Sequence, residues 1–193
     1  MNTISKNIKH EYIIKKSKFI TYLQIVNDDQ EAKEFIKLIR LEHTGANHVC
    51  SAYVVLPYEK YDDDGEPKGT AGMPILNVLQ KKNINNIVCC VVRYFGGTKL
   101  GAGGLIRAYS NSVSLALDEI ELIRLKKAVT LKIMTNVKDI NNILNILSKH
   151  DCKVNSDFEN FIINVSVNQE DLDILKSNLY NFKHDLSIDK TSD

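Results

Sequence analysis

The sequence predicts an α+β protein built as two small two-layer α/β sandwiches, residues 1–127 and residues 128–193. Three observations carry that reading. Strand-like and helix-like apolar spacings alternate along the whole chain. All nine glycines and all three prolines lie between Gly45 and Gly104, so special backbone geometry is confined to the first part. The charge balance also reverses, from 18 basic against 14 acidic residues over 1–127 to 7 against 10 over 128–193.

Residues 11–15 and 18–26 read as two strands about a turn at Lys16 and Ser17. Asp28 or Asp29 caps a helix to about His43, on which Ala32, Phe35, Ile36, Leu38 and Ile39 follow helical spacing. A strand over 48–56 leads into a polar loop over 58–72. Pro74 then sits where a helix tolerates proline, at its first turn, ahead of Ile75, Leu76, Val78 and Leu79. Residues 86–95, rich in Val and Ile, predict a central strand. A second loop over 96–104 opens a helix whose apolar positions Leu105, Tyr109, Val113, Ala116, Leu117 and Ile120 recur every three or four residues. Beyond it come a strand (128–134), a helix (137–150), two strands (152–157 and 161–167), a helix (170–182) and a short strand (186–189). That strand-helix-strand-strand-helix-strand order is the ferredoxin-like pattern.

Composition narrows the function classes. With 44% hydrophobic and 25% charged residues the chain has enough apolar material for a core and too much for disorder. Twenty-five Lys and Arg against 24 Asp and Glu give no bulk charge directed at nucleic acid. The longest apolar run, residues 87–92, is far short of the roughly 20 residues that span a bilayer, so no membrane partner is expected. The charged N-terminus lacks the apolar stretch of a secretory leader. Cys50, Cys89, Cys90 and Cys152 form no Cys-x-x-Cys pair and read as reduced thiols of a cytoplasmic protein.

Two loops carry the chemistry. The second, with its flanks, runs from Val91 to Tyr109 and holds Gly96, Gly97, Gly101, Gly103 and Gly104, bracketed by Arg93, Lys99 and Arg107. Backbone N–H groups free of side chains wrap an anion, a helix N-terminus adds a favourable dipole, and arginine's planar fork suits phosphate oxygens. Neither a Walker loop nor a Gly-x-Gly-x-x-Gly register fits. The competing reading is that the glycines serve tight turns and the arginines pair with carboxylates upstream. Those carboxylates belong to the first loop: Asp62, Asp63, Asp64 and Glu66, with Thr70 as a hydroxyl. They either hold Mg²⁺ or Ca²⁺ or form a solvated, Asp-capped turn; the EF-hand offsets are not met. His43, His48 and Cys50 make a third, weaker group with metal or nucleophile character.

With these residues laid out, the chain resembles the YigZ/IMPACT family in its bacterial form. The matching stretches are Ala-Asn-His-Val-Cys-Ser-Ala-Tyr at 46–53, Asp-Asp-Gly-Glu-Pro-Lys-Gly-Thr-Ala-Gly at 63–72, and the whole second loop with its flanks at 91–109. The resemblance carries His48, Asp63, Asp64, Glu66, Thr70, Arg93, Gly96, Gly97, Gly101, Gly103, Gly104 and Arg107 onto the family's motifs. It implies an N-terminal domain of the ribosomal-protein and elongation-factor-G domain-four type, and a C-terminal domain similar to that factor's last domain. Eukaryotic members of the family act in translational control. The expectation is therefore a translation-related binding protein rather than an enzyme. It would contact RNA or the ribosome, or a protein partner in translation control, through the glycine-rich, arginine-flanked surface. No catalytic residue, cofactor or resident metal is assigned. The alternative is a protein or enzyme that binds a nucleotide or phosphometabolite, with Mg²⁺ on the acidic loop.

Overall fold

Six consecutive apolar residues at 87–92 leave a strand no polar face, so the sheet that holds it needs cover on both sides. That is the arrangement found in the structure, a computed structural model that describes residues 1–126, 128–180 and 185–189. The chain divides into two units, Met1–Leu125 and Lys126–Asp193, each with its own core.

The first unit runs β1 (Asn2–Ile4), β2 (Ile8–Ile14), β3 (Ser17–Ile25), α1 (Asp29–Glu42), β4 (His48–Val55), β5 (Tyr58–Asp62), α2 (Gly72–Lys81), β6 (Ile87–Tyr94), α3 (Ala102–Asp118) and β7 (Leu122–Arg124). Five strands form an antiparallel sheet in the order β2-β3-β6-β4-β5, with β6 at its centre. Side chains alternate across it. Phe19, Leu23, Cys50, Ala52, Cys89 and Val91 join the core beneath α2 and α3. Ile20, Tyr22, Val49, Tyr53, Val88, Cys90 and Val92 join the core beneath α1. Adjacent Cys89 and Cys90 thus enter different cores, both as free thiols. The unit has three layers, not the two expected from sequence: helix, sheet, helices. The physical reason is the continuous apolar run of β6, whose two faces both need burial.

Two further differences are local. Residues 58–62, expected as part of a polar loop, form β5 by pairing with β4 as an exposed edge. Such a strand has no apolar face to betray it. The pair β1 and β7 forms a two-stranded ribbon too short to carry periodicity. The helix from Asp28 does begin with that residue as its N-cap, the carboxylate accepting from the Glu31 N–H at 2.8 Å.

The second unit runs β8 (Ala128–Met134), α4 (Ile140–Leu147), β9 (Cys152–Asp157), β10 (Ile162–Asn168), a single 3₁₀ turn (Gln169–Asp171), α5 (Leu172–Leu179) and β11 (Asp185–Asp189). Its antiparallel sheet has the order β11-β8-β10-β9. Leu131, Ile133, Ile163, Val165 and Val167 pack on Ile140, Ile143, Leu147, Leu175 and Leu179. Residue 127, at the expected boundary, and residues 181–182, the expected end of the last helix, lie outside the described residues.

One close approach ties the second loop to the sheet. As the chain leaves β6, Gly96 passes against the turn between β2 and β3. A methyl group there would lie 2.0 Å from the Lys16 carbonyl carbon, and the Gly96 N–H donates to Ser17 Oγ at 3.1 Å. Gly97 has φ +86° and open space around it. Gly96→Ala is therefore expected to cost about 3 kcal/mol, because backbone must shift against backbone. Gly97→Ala should cost only about 1 kcal/mol of left-handed strain. Urea midpoints of the two variants measure the difference.

Candidate functional site

Register places the site. Phe19 of β3, Arg93 of β6 and His48 of β4 are direct cross-strand neighbours, in one row on the sheet face that α2 and α3 cover. The row lies at the end of β6, where the core opens, and Arg93 is held there by Glu66 from the first loop. Arg93 Nη1 donates to Glu66 Oε1 at 2.5 Å, and the two side chains are only 7% and 3% exposed. The Arg93 guanidinium also lies 5.7 Å from the Phe19 ring centroid and 5.6 Å from that of Phe95. Its Nε has no partner among the described residues.

Glu66 collects a second helix as well. Tyr109 of α3 donates its hydroxyl to Glu66 Oε1 at 2.8 Å, and Cys50 Sγ points to that hydroxyl at 3.3 Å and to the Asp63 carbonyl at 3.0 Å. Burial pushes the Tyr109 phenol and the Cys50 thiol far up, and the carboxylate of Glu66 acts in the same direction on both. Both stay protonated donors. Cys50 is therefore a poor nucleophile, since the thiolate is the reactive form.

The other carboxylates of the first loop bind backbone. Asp63 accepts from the N–H groups of Gly69 (2.7 Å), Ala71 (3.1 Å) and Gly72 (2.8 Å). It thereby caps α2, whose own N-cap residue Ala71 offers no side-chain acceptor. Asp64 accepts from the Val49 N–H at 2.6 Å and from Arg40 at 3.2 Å, and Asp62 accepts from Arg40 at 2.7 Å. The Asp64 N–H and the Arg40 guanidinium lower the Asp62 carboxyl from its ordinary value. Thr70 Oγ1 donates to the Pro67 carbonyl at 2.6 Å. Among the described residues no three His, Cys, Asp or Glu side chains converge to hold a metal ion.

The two loops meet along a cleft of about 410 Å³ lined by His48, Glu66, Arg93, Phe95, Lys99 and the Gly101–Ala102 backbone. Lys99 is exposed, and so is Arg107, which lies farther along α3 and outside the cleft, its Nη1 3.7 Å from where a methyl on Gly103 would sit. Gly101 occupies the N-cap of α3 and Gly103 and Gly104 its first turn, so the leading N–H groups have no side-chain cap. His48 Nδ1 donates to the Asp64 carbonyl at 2.9 Å, which turns the ring's other nitrogen towards Glu66. His43 is elsewhere, on the α1 side, bonded to the hydroxyls of Tyr22 (2.7 Å) and Tyr94 (2.9 Å). The third sequence group is thus split by the sheet.

Sequence reasoning passed over Phe95, Asn47 and the Tyr109 hydroxyl. Phe95 is 45% exposed at the mouth of the cleft, and its N–H is held by Asn47 Oδ1 at 2.7 Å. An aromatic residue directly before a double glycine at a strand end was the available signal. Tyr109 offered none, because its ring fits the apolar stripe of α3 whatever its hydroxyl does.

Residues 15–117, from the strands that frame the cleft to the end of α3, match the Impact N-terminal domain. The chain belongs to the IMPACT family. It is 50% identical over 127 residues to the IMPACT family member YvyE of Bacillus subtilis, covering 64% of this chain and 58% of that protein. It is 37% identical over 156 residues to the IMPACT family member YigZ of Escherichia coli, covering 78% and 76%. A crystal structure of a hypothetical protein superimposes with a TM-score of 0.75 at 31% identity, over 99% of this chain and 98% of that one. The chain thus spans under two thirds of the Bacillus relative's length and almost all of the solved one.

Glu66→Ala should destabilise the protein by about 3–5 kcal/mol, because it leaves the Arg93 charge buried and uncompensated. Asp63→Ala, which frees three backbone N–H groups, should cost about 2–4 kcal/mol. Denaturant unfolding followed by circular dichroism reads both.

Proposed function

We propose that this IMPACT-family chain is a translation-related binding protein whose cleft takes a single-stranded segment of RNA, ribosomal RNA included. One observation carries the reading. The same cleft presents an exposed aromatic ring, Phe95, the ammonium of Lys99 and the uncapped first turn of α3. Single-stranded RNA is held by bases stacked on aromatic faces and phosphates on cations and backbone N–H groups. Arg107 extends the cationic surface along α3 for the next phosphate. Arg93 is not a phosphate ligand in this reading, because Glu66 already neutralises it; its role is to position the cleft.

The acidic loop supports this over a Mg²⁺-dependent phosphoryl site. Asp63 and Asp64 bond to backbone N–H groups and to Arg40, so neither is free for a hard cation. The translation setting rests on family membership and on the domain types we assign. The first unit is read as the elongation-factor-G domain-four type, with a third layer added by α1. The second is read as ferredoxin-like, with its boundary near residue 127.

Binding of fluorescent single-stranded RNA should weaken steeply with salt. Phe95→Ala should cost about 1–3 kcal/mol of binding through lost stacking. Lys99→Glu should weaken binding and lower the salt slope by about 0.7 for the lost phosphate contact. Neither substitution should move the melting temperature much, since both side chains are exposed. Unchanged affinity in both variants, or no association with RNA or ribosomes at low salt, would sink the proposal.

A further inference from the structure

The two ends of the cleft have opposite chemistry. At one end stand Lys99 and the first turn of α3, suited to an anion. At the other stands Glu66, and its two oxygens are unequal. Oε1 already accepts from Arg93 and Tyr109, which fills the two lone-pair positions of one oxygen. Oε2 has no hydrogen-bond partner among the described residues, and Glu66 lines the cleft. A carboxylate buried to this degree with one oxygen unmet calls for a donor from the ligand.

His48 adds a second acceptor. Its Nδ1 faces the Asp64 carbonyl, which can only accept, so Nδ1 carries the hydrogen. In the neutral ring Nε2 is then a lone pair, and it lies 3.9 Å from Glu66 Oε1, too far for a direct hydrogen bond between them. Two acceptors therefore stand side by side at this end of the cleft. A phosphate finds no donor in these two groups, while a group with two neighbouring N–H donors satisfies both.

Among the RNA bases only guanine has such an edge. Its N1–H and N2–H₂ are adjacent donors. Adenine and cytosine each place a donor beside an acceptor, and uracil has one N–H between two carbonyls. We infer that the cleft is a guanine-reading pocket: Glu66 Oε2 and His48 Nε2 accept from the N1–H and N2–H₂ edge, Phe95 lies against the base, and the phosphate rests at Lys99 and the first turn of α3. The volume of about 410 Å³ suits one unstacked nucleotide. The inference rests on the RNA reading of this cleft and adds the base it selects.

The test is calorimetric titration at pH 8 with guanosine, inosine and 1-methylguanosine 5′-monophosphates, followed by the adenosine, cytidine and uridine counterparts. Inosine lacks the N2 amine and 1-methylguanosine lacks the N1–H. Each is expected to bind about tenfold more weakly than guanosine monophosphate, as for one lost hydrogen bond. Equal affinity for the three purines, or no binding of any of them at millimolar concentration, overturns the inference. Because the comparison changes the ligand, it needs no variant that folds. Glu66→Gln, which turns an acceptor into an amide donor, should abolish the preference for guanosine over 1-methylguanosine monophosphate; a folded variant that keeps it overturns the assignment. RNA binding that ignores base identity would remove the guanine pocket and leave the RNA reading standing. Guanosine preference without RNA or ribosome association would do the reverse.

Discussion

The buried carboxylate of Glu66 makes the interaction on which the cleft of the first unit depends. It lies in a loop between β5 and α2, yet it bonds to Arg93 at the end of β6 and to Tyr109 on α3. A charge with a side chain 3% exposed is tolerable only because a guanidinium and a phenol meet it. Removing either partner leaves a desolvated charge, so loop, strand and helix are held together or fail together. The cleft is the surface of this arrangement, and its shape is fixed by groups that a ligand does not displace.

The dense acidic stretch before it works in the same manner. Carboxylates at 62–64 look, in sequence, like a place for a hard cation. In the fold they answer a backbone problem: the start of α2 and the start of β4 need acceptors, and Asp63 and Asp64 supply them. Arg40 from α1 takes up the remaining charge. With Asp63 and Asp64 bonded to backbone N–H groups and Asp62 paired with Arg40, Lys99 and Arg107 are left facing solvent. A chain that is nearly neutral in sum thus presents a locally cationic edge, which is what binding an anion by shape and field requires.

Much of the fold was legible because its signals are local. The helix beginning at Asp28, the strand over 128–134 and the pair of strands that follow α4 emerge from capping chemistry and periodicity that any window of ten residues contains. What escaped depended mostly on pairing between distant segments. β5 exists because β4 offers it hydrogen bonds, and its own residues are all exposed. The third layer was written in the uninterrupted apolar run of β6, but which helix covers which face is a matter of chain path. The site divides in the same way: Gly96, Lys99 and Arg93 stand out by type and spacing, and Phe95 by its place before a double glycine, whereas the hydroxyl of Tyr109 gains its meaning only from its neighbours.

The sequence by itself determined where special backbone geometry would be needed, which residues carry charge into it, and that the two loops belong to one motif set. Only the tertiary structure decided which of those charges are free. Arg93 and Arg107 are the same residue type within one loop and its flanks, yet the sheet register buries the first against Glu66 and the helix leaves the second in water. The reason is physical. Local sequence fixes dihedral preferences and periodicity, while desolvation and pairing depend on which distant groups the fold brings within a few ångströms.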